Sequence, residues 1–294
     1  MTHRLTGTEI AVPASIGNLG PGFDTLGLAV SLYLRVRVTS VVADGKARLV
    51  CRFVDGVPAS PNLIARAFQA SPHQRVRHSI EVEVRSDIPQ RAGLGSSAAA
   101  TIAGLRLRGA LDGARRLEEL AAAACRLEGH PDNAAAALFG GLTSSCVLPD
   151  GAIRVTRWAW PSSWRVLVVT PAVQLSTTAA RDVLPERVPL EDAVFNLQRL
   201  AHLLGAVTKK DPGALGLALD DRCHQRYRQP LVPVLRDALR LQHRDLLGVC
   251  LSGAGPSIVA FTNSNVAAVE RALNRLYRAA GVPCTTRRLK VHAK

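Results

Sequence analysis

Lysine is scarce in this chain. Five of its 37 basic residues are lysine and the rest are arginine. Aromatic residues are scarce too, with three Trp, three Tyr and six Phe. Proteins that grip single-stranded nucleic acid stack bases on aromatic rings, and few rings are left here for that once a core is filled. The net charge of +14 is therefore read as solvated arginine faces, interleaved with apolar residues as in "LYLRVRV" (Leu32–Val38), and no nucleic-acid partner is expected. A basic surface still attracts anionic ligands. No apolar run reaches the ~18 residues of a membrane helix, so no membrane partner is expected. Met1–Val12 lacks a basic stretch followed by an apolar one, so no secretory leader is expected either. No CxxC pair and no zinc-type Cys/His spacing occurs. Cys51, Cys125, Cys146, Cys223, Cys250 and Cys284 are scattered, as expected of buried free thiols in a reducing cytoplasm. A GxxxxGK[ST] phosphate loop is also missing.

What is present is a chain of 294 residues, 47% apolar and 20% charged. That is enough for one large domain or two medium ones. Thr8–Ser15 and Leu32–Ser40 read as strands. Ala43–Phe53 reads as a hairpin arm turning at Asp44-Gly45, and Pro61–Gln69 as a short helix with Pro61 near its first turn. His78–Pro89 alternates, with Ile80, Val82 and Val84 on one side and Glu81, Glu83 and Arg85 on the other. Ala98–Leu111 and Arg115–Gly129 are the clearest helices; Leu117, Leu120, Ala121 and Ala124 share one face of the second. Gly140–Leu148, Gly151–Trp158 and Ser163–Pro171 return to strand character. Helices are expected over Leu190–Val207, Pro212–Leu219 and Leu231–His243, followed by a β–β–α–β ending over Leu246–His292. The strands cluster instead of alternating strictly with helices, which places the fold in the α+β class. A division near Trp160–Trp164 gives two domains, residues 1–160 and 161–294.

Four segments carry more glycine and small polar residues than connections need. "QRAGLGSSAAATIAGL" (Gln90–Leu105) runs from a strand and Pro89 through Gly93-Leu94-Gly95-Ser96-Ser97 into a helix. Such a turn aims free backbone N–H groups and a helix N-terminus at an anion, and a hydroxyl there could reach a divalent cation. An ordinary helix start with Ser96 or Ser97 as N-cap would look the same. "VPASIGNLGPGFDTLGLAV" (Val12–Val30) is a tight loop holding Asn18 and Asp24, either as local caps or as an amide and a carboxylate offered to a polar ligand. "EGHPDNAAAALFGGL" (Glu128–Leu142) packs Glu128, His130, Asp132 and Asn133 before an apolar helix. One cap, Asp132 or Asn133, would suffice, so the others need a different task. "LSGAGPSIVAF" (Leu251–Phe261) is a glycine turn between apolar strands.

Together these segments resemble the GHMP kinase superfamily. Its three motifs stand in order at Pro13–Asp24, Pro89–Ala98 and Ser252–Pro256, and the central one, Pro89-Gln-Arg-Ala-Gly-Leu-Gly-Ser-Ser-Ala98, is highly specific. Within it the chain resembles the homoserine kinases, in Pro13-Ala-Ser-Ile-Gly-Asn-Leu-Gly-Pro-Gly-Phe-Asp24, Glu128-Gly-His-Pro-Asp-Asn133, Leu175–Pro185 and Asp221–Pro233. Ile16-Gly17 and Ala136 depart from the family pattern, and the stretch from Cys51 to Pro61 is short for it, which bears on the wall of the nucleotide pocket.

The resemblance implies ATP-dependent phosphorylation of the side-chain hydroxyl of L-homoserine on the way to threonine, in the cytoplasm, by a homodimer. The alternative is a relative acting on another alcohol such as mevalonate or shikimate. It implies a two-lobed α+β fold, with an N-terminal lobe like ribosomal protein S5 domain 2 and a ferredoxin-like C-terminal lobe. It implies that Asn18, Asp24, His130, Arg181 and Arg228 bind homoserine, the arginines suiting its carboxylate and Asp24 its ammonium. Asp132, Asn133 and Thr177 would sit by the reacting hydroxyl and γ-phosphate, Asp132 as a positioning group more than a strong base. ATP would be held by Asn62 at the adenine and by Pro89, Arg91, Ala92, Gly93, Leu94, Gly95, Ser96, Ser97, Ala98 and Ala99. Mg²⁺ would be held by Glu128 and a loop serine, Ser97 in preference to Ser96.

Overall fold

The computed structural model describes residues 5–46, 48–54, 62–70, 78–113, 116–263 and 265–293. Its first sheet is built on one long strand. β1 (Glu9–Gly17) pairs antiparallel with β2 (Leu26–Val42), and a bulge at Pro13/Ala14 absorbs the proline's missing donor. β3 (Leu49–Phe53) leads through α1 (Leu63–Gln69) to β4 (Ser79–Ser86). β3 pairs in parallel with β4, and β4 pairs antiparallel with β2. The hairpin expected over Ala43–Phe53 is therefore not formed. β4 lies between β3 and β2, and Asp44 instead caps its own loop, accepting from Lys46 N and from the Ser79 hydroxyl. Asn62 is the N-cap of α1, its side chain accepting from Ala65 N. Pro61 lies outside the described residues, as does most of the short 51–61 stretch.

α2 (Ser96–Asp112) is the central helix and is buried on nearly all sides, from Ala98 to Gly109. α3 (Leu117–Glu128) is amphipathic, with Leu120, Ala121 and Ala124 buried, and α4 (Asp132–Phe139) is wholly apolar after its first two residues. β5 (Leu142–Val147) and β6 (Ile153–Trp158) complete the first sheet, in the order β3-β4-β2-β5-β6.

β7 (Arg165–Pro171) opens the second sheet. α5 (Thr177–Asp182), α6 (Leu190–Lys209), α7 (Pro212–Ala218), the single turn α8 (Gln225–Arg228) and α9 (Leu235–Leu239) follow. The helix expected over Leu231–His243 is thus only five residues long, with turns before it and an irregular stretch after it. β8 (Leu246–Leu251), β9 (Ile258–Thr262), α10 (Val266–Ala279) and β10 (Cys284–Leu289) give the β–β–α–β ending, in the sheet order β10-β7-β9-β8. The strands show the period of two. Val166 and Val168 pack into the larger core, while Leu167 and Val169 face α10, which buries Val269, Ala272, Leu273 and Tyr277. The chain end then crosses back to β2, where Ser31 N donates to Lys290 O and His292 N to Ala29 O. All six cysteines are free, but only Cys250 is buried and Cys146 is exposed, so the expectation of buried thiols holds for one of them.

Candidate active site

The four glycine-rich segments meet. Asn18, Asp24, Arg91, Gly93, Gly95, Ser96, Ser97, Ala98, Glu128, His130, Asp132, Asn133, Thr177, Arg181 and Arg228 line one open cleft, with Phe23 and the 253–255 turn. The phosphate-loop candidate forms its floor. Gly95, at φ +69°, is the N-cap of α2, and no side chain caps that helix. Neither Ser96 nor Ser97 caps it, contrary to the simpler reading of the sequence. The first N–H groups of α2 are left free to meet an anion. A Cβ at Gly95 would collide with the Ser15 hydroxyl, and one at Gly93 (φ +74°) with the carbonyl of Ser252. Both positions need glycine for their backbone and for these close approaches. Pro89, Ala92, Leu94 and Ala99 do not line the cleft. Ala92, Leu94 and Ala99 are buried behind it, and the carbonyls of Ala92 and Leu94 accept from Ser257 N and Ser15 N.

Ser97 leaves capping for another partner. Its hydroxyl donates to Glu128 Oε2 at 2.5 Å, and Thr101, one turn further along α2, donates to Oε1 at 2.5 Å. Glu128 also lines a second, adjoining cleft with Leu63, Arg66, Ala67, Thr101 and Thr177. Asn62 caps α1 beside this second cleft without lining either one.

α4 likewise starts without a side-chain cap, on Pro131. Asp132 and Asn133 are not the caps that the sequence allowed. Asp132, 1% exposed, binds His130 Nδ1 through Oδ1 at 2.7 Å and accepts from Asn133 Nδ2 through Oδ2 at 3.1 Å. The Ser15 hydroxyl donates to Asn133 Oδ1 at 2.9 Å. Burial pulls the His130 pKa down. The hydrogen bond and charge of Asp132, with Asp24 nearby, outweigh it, and the net shift is upward.

The third group spans the lobes. Arg181 Nη2 and Nη1 reach Asp24 Oδ1 and Oδ2 at 2.7 and 3.1 Å. Arg228, 1% exposed, donates through Nε to Ala180 O and through Nη1 to Gly253 O. Burial lowers its pKa, repulsion from Arg181 adds to this, and the result of about 10 still leaves it charged at neutral pH. Asn18 has both ends of its amide engaged. Nδ2 donates to Gly253 O at 2.9 Å and Oδ1 accepts from Asp24 N at 3.1 Å, so it ties the first glycine loop to the last. Donor atoms of Asp24, His130 and Asp132 lie within 4.8 Å of one another. Because Arg181 already takes both oxygens of Asp24, this cluster suits an organic cation exchanging with Arg181 better than a metal ion.

The sequence reading missed several residues of this site. Phe23 stacks on His224 at 5.2 Å, and the guanidinium groups of Arg181 and Arg228 each lie 5.4 Å from its ring centroid. Thr101, Ser15, His224 and Gly253 were also passed over. Thr101 had a signal in its four-residue spacing from Ser97, and His224 in its four-residue spacing from Arg228.

Comparison with known proteins decides the family. The model of the GHMP kinases N-terminal domain matches residues 62–141, and that of the GHMP kinases C-terminal domain matches residues 203–279. A homoserine kinase of Solibacter usitatus is 41% identical over 93% of this chain and 91% of its own length. The chain belongs to the homoserine kinase family of GHMP kinases. The homoserine kinase of Moorella thermoacetica is 37% identical over 95% of this chain and 96% of that relative. Among solved structures, the homoserine kinase of Cytophaga hutchinsonii superposes with a TM-score of 0.82 at 26% identity, covering 97% of this chain and 96% of the other. A mevalonate kinase at 13% identity, with a TM-score of 0.68, shares the fold. The two-lobed α+β architecture expected from the motifs is the one observed. Among the described residues no helix is long and apolar enough to cross a membrane.

Proposed function

We infer that this kinase transfers the terminal phosphoryl group of ATP to the side-chain hydroxyl of L-homoserine, giving O-phospho-L-homoserine for threonine synthesis. One observation carries the reading. Two guanidinium groups and a carboxylate, Arg181, Arg228 and Asp24, share a cleft with an uncapped helix N-terminus. That set matches an amino acid's carboxylate and ammonium beside a phosphate chain. A mevalonate-like acid would leave Asp24 without an ammonium partner, which disfavours the other alcohols.

Phosphoryl transfer depends mainly on alignment and on balancing charge, so a strong base is not required. The free N–H groups of α2 and the turn from Gly93 to Ser97 would hold the phosphates, with Arg91 at the rim of the cleft. Asp132, fixed by His130 and Asn133, would accept a hydrogen bond from the homoserine hydroxyl and orient it, with Thr177 in the same cleft. Asn62 and the cleft by Leu63 and Arg66 are the candidate wall for the adenine. Glu128 and Ser97 fit Mg²⁺, since the site offers carboxylate and hydroxyl oxygens of the kind this hard cation takes. The ion would neutralise charge on the phosphates. The lobes are taken to divide between residues 160 and 161, and the enzyme to work in the cytoplasm.

The same reading includes a homodimer. Leu190, Val194 and Leu197 on α6 are 80%, 43% and 65% exposed, and Ala201 is exposed as well. Their spacing of four, three and four residues is that of a helix–helix seam. Glu191 stands at one end of α6 and Lys209 at the other. An antiparallel pair about a twofold axis would set opposite charges together. Light scattering should give twice the 31.3 kDa chain mass, and Leu197→Glu should give monomer.

Coupled ADP-release assays with homoserine, mevalonate and shikimate test the activity. Turnover should appear with homoserine. Background rates with homoserine, or faster turnover of mevalonate or shikimate, would overturn the reading.

A further inference from the structure

A buried imidazole stands behind the cleft and touches two of its lining residues, Phe23 and Arg228, without lining it itself. His224 is 0% exposed. Its Nε2 lies 2.8 Å from Gly20 O, and its Nδ1 lies 3.2 Å from Arg228 Nη1. A guanidinium can only donate, so Nδ1 accepts. The proton is then on Nε2, where the Gly20 carbonyl receives it. Both ring nitrogens are thereby assigned, and the ring is neutral. Nε2 is also 3.7 Å from Asp221 Oδ2, but that carboxylate is occupied by His224 N, at 2.9 Å, and by Gln225 N, at 2.7 Å. Its other oxygen accepts from Asn196 Nδ2 at 2.7 Å and from Cys223 N at 3.0 Å. Asp221 therefore fixes the backbone of His224 and leaves the ring to its two partners. One face of the ring stacks on Phe23, which precedes Asp24.

We propose that His224 is a positioning residue that sets the separation of the two charge partners for the amino acid, Asp24 and Arg228. Its ring is a rigid strut between the glycine loop that carries Asp24 and the helical turn that carries Arg228. This rests on the reading that those two residues bind the ammonium and carboxylate of homoserine. The phosphate loop makes no hydrogen bond to the imidazole, so ATP binding is outside its reach. The strut is directional, because the Nδ1 arm holds Arg228 and the Nε2 arm holds the loop.

Three variants separate this role from simple packing. His224→Phe keeps a stacking ring and loses both arms. His224→Asn places an acceptor where Nδ1 stood and keeps the Arg228 arm. His224→Gln reaches the Nε2 position and keeps the Gly20 arm. Steady-state kinetics with each substrate varied, together with melting curves, give the readout. His224→Phe is expected to raise KM for homoserine about tenfold or more while KM for ATP stays within about twofold. His224→Asn is expected to recover most of the homoserine KM, and His224→Gln less. Equal increases in both KM values, no increase in either, or better rescue by Gln than by Asn would overturn the proposal. If His224→Phe does not fold, the order of Asn and Gln still decides. Wild-type turnover of homoserine in the same assay keeps the underlying substrate reading separate: its absence would sink that reading, not the strut.

Discussion

Arg181 grips Asp24 through both terminal guanidinium nitrogens, joining residues 157 positions apart in the chain. Each side chain is about one-third exposed, at 36% and 32%. The pair lies where the amino-acid substrate is proposed to bind. A zwitterion can exchange with it charge for charge: its ammonium takes Asp24, and its carboxylate takes Arg181. A ligand with one charge leaves the other residue unpaired.

Asp24→Asn should therefore separate activity from stability. Exposed ion pairs contribute up to ~1 kcal/mol to folding, so the melting temperature should fall by less than about 4 °C. The kcat/KM for homoserine should fall about 100-fold or more, which corresponds to ~2.7 kcal/mol of transition-state binding. A loss below about threefold in steady-state assays would remove Asp24 from the substrate site.

Asp132→Asn keeps the shape of the side chain but removes its charge and one acceptor. With His130 and Asn133 on either side of it, kcat should drop about tenfold or more. A kcat/KM within about twofold of wild type, below ~0.5 kcal/mol, would show that the hydroxyl does not rely on this carboxylate.

Glu128→Gln should act through the cation. The amide cannot supply the same anionic oxygen to a divalent ion, so the Mg²⁺ concentration giving half-maximal rate at fixed ATP should rise at least ~10-fold. Thr101→Val, which removes one hydroxyl from Glu128, should produce a smaller rise of the same kind. An unchanged Mg²⁺ titration for Glu128→Gln would place the metal elsewhere.

His130 and His224 have opposite effects on stability as pH changes. The His130 pKa is raised on folding, so its contribution is complete below the unfolded value of about 6.5 and is lost as pH rises through the folded value. The His224 pKa is lowered, chiefly by burial, with Asp221 opposing and Arg228 assisting. Its contribution is complete above about pH 6.5 and is lost as pH falls. Melting curves between pH 6.5 and 8.5 therefore isolate His130, and wild type should lose more stability across that window than His130→Gln. Parallel curves would show that His130 is not held charged by its carboxylate neighbours.

Much of the site was legible because its signals are local. Gly93-Leu94-Gly95-Ser96-Ser97 before an alanine-rich run says that a tight turn feeds a helix, and Glu128 to Asn133 carries more polar groups than a helix start consumes. Other features depend on partners far along the chain. Ser97 looks like an N-cap until Glu128, 31 residues on, is seen to take its hydroxyl. Asn18 lines the cleft, but only the fold shows that its amide also ties Gly253 to the Asp24 backbone. The hairpin at Asp44-Gly45 failed for the same reason: turn chemistry favours a bend but does not choose the neighbouring strand, and β4 pairs on both sides.

By itself the sequence determined the fold class, the family, the glycine turns and the kind of chemistry they serve. These follow from backbone freedom, helix and strand periods, and the order of short motifs. Tertiary structure alone decided that Arg181 meets Asp24, that His224 spans Gly20 and Arg228, and that two uncapped helix starts open on one cleft. Each of those meetings joins segments that are separate in the chain and come together only through tertiary packing. A hydrogen bond needs its atoms at about 3 Å, and spacing along the chain cannot guarantee that across two hundred residues.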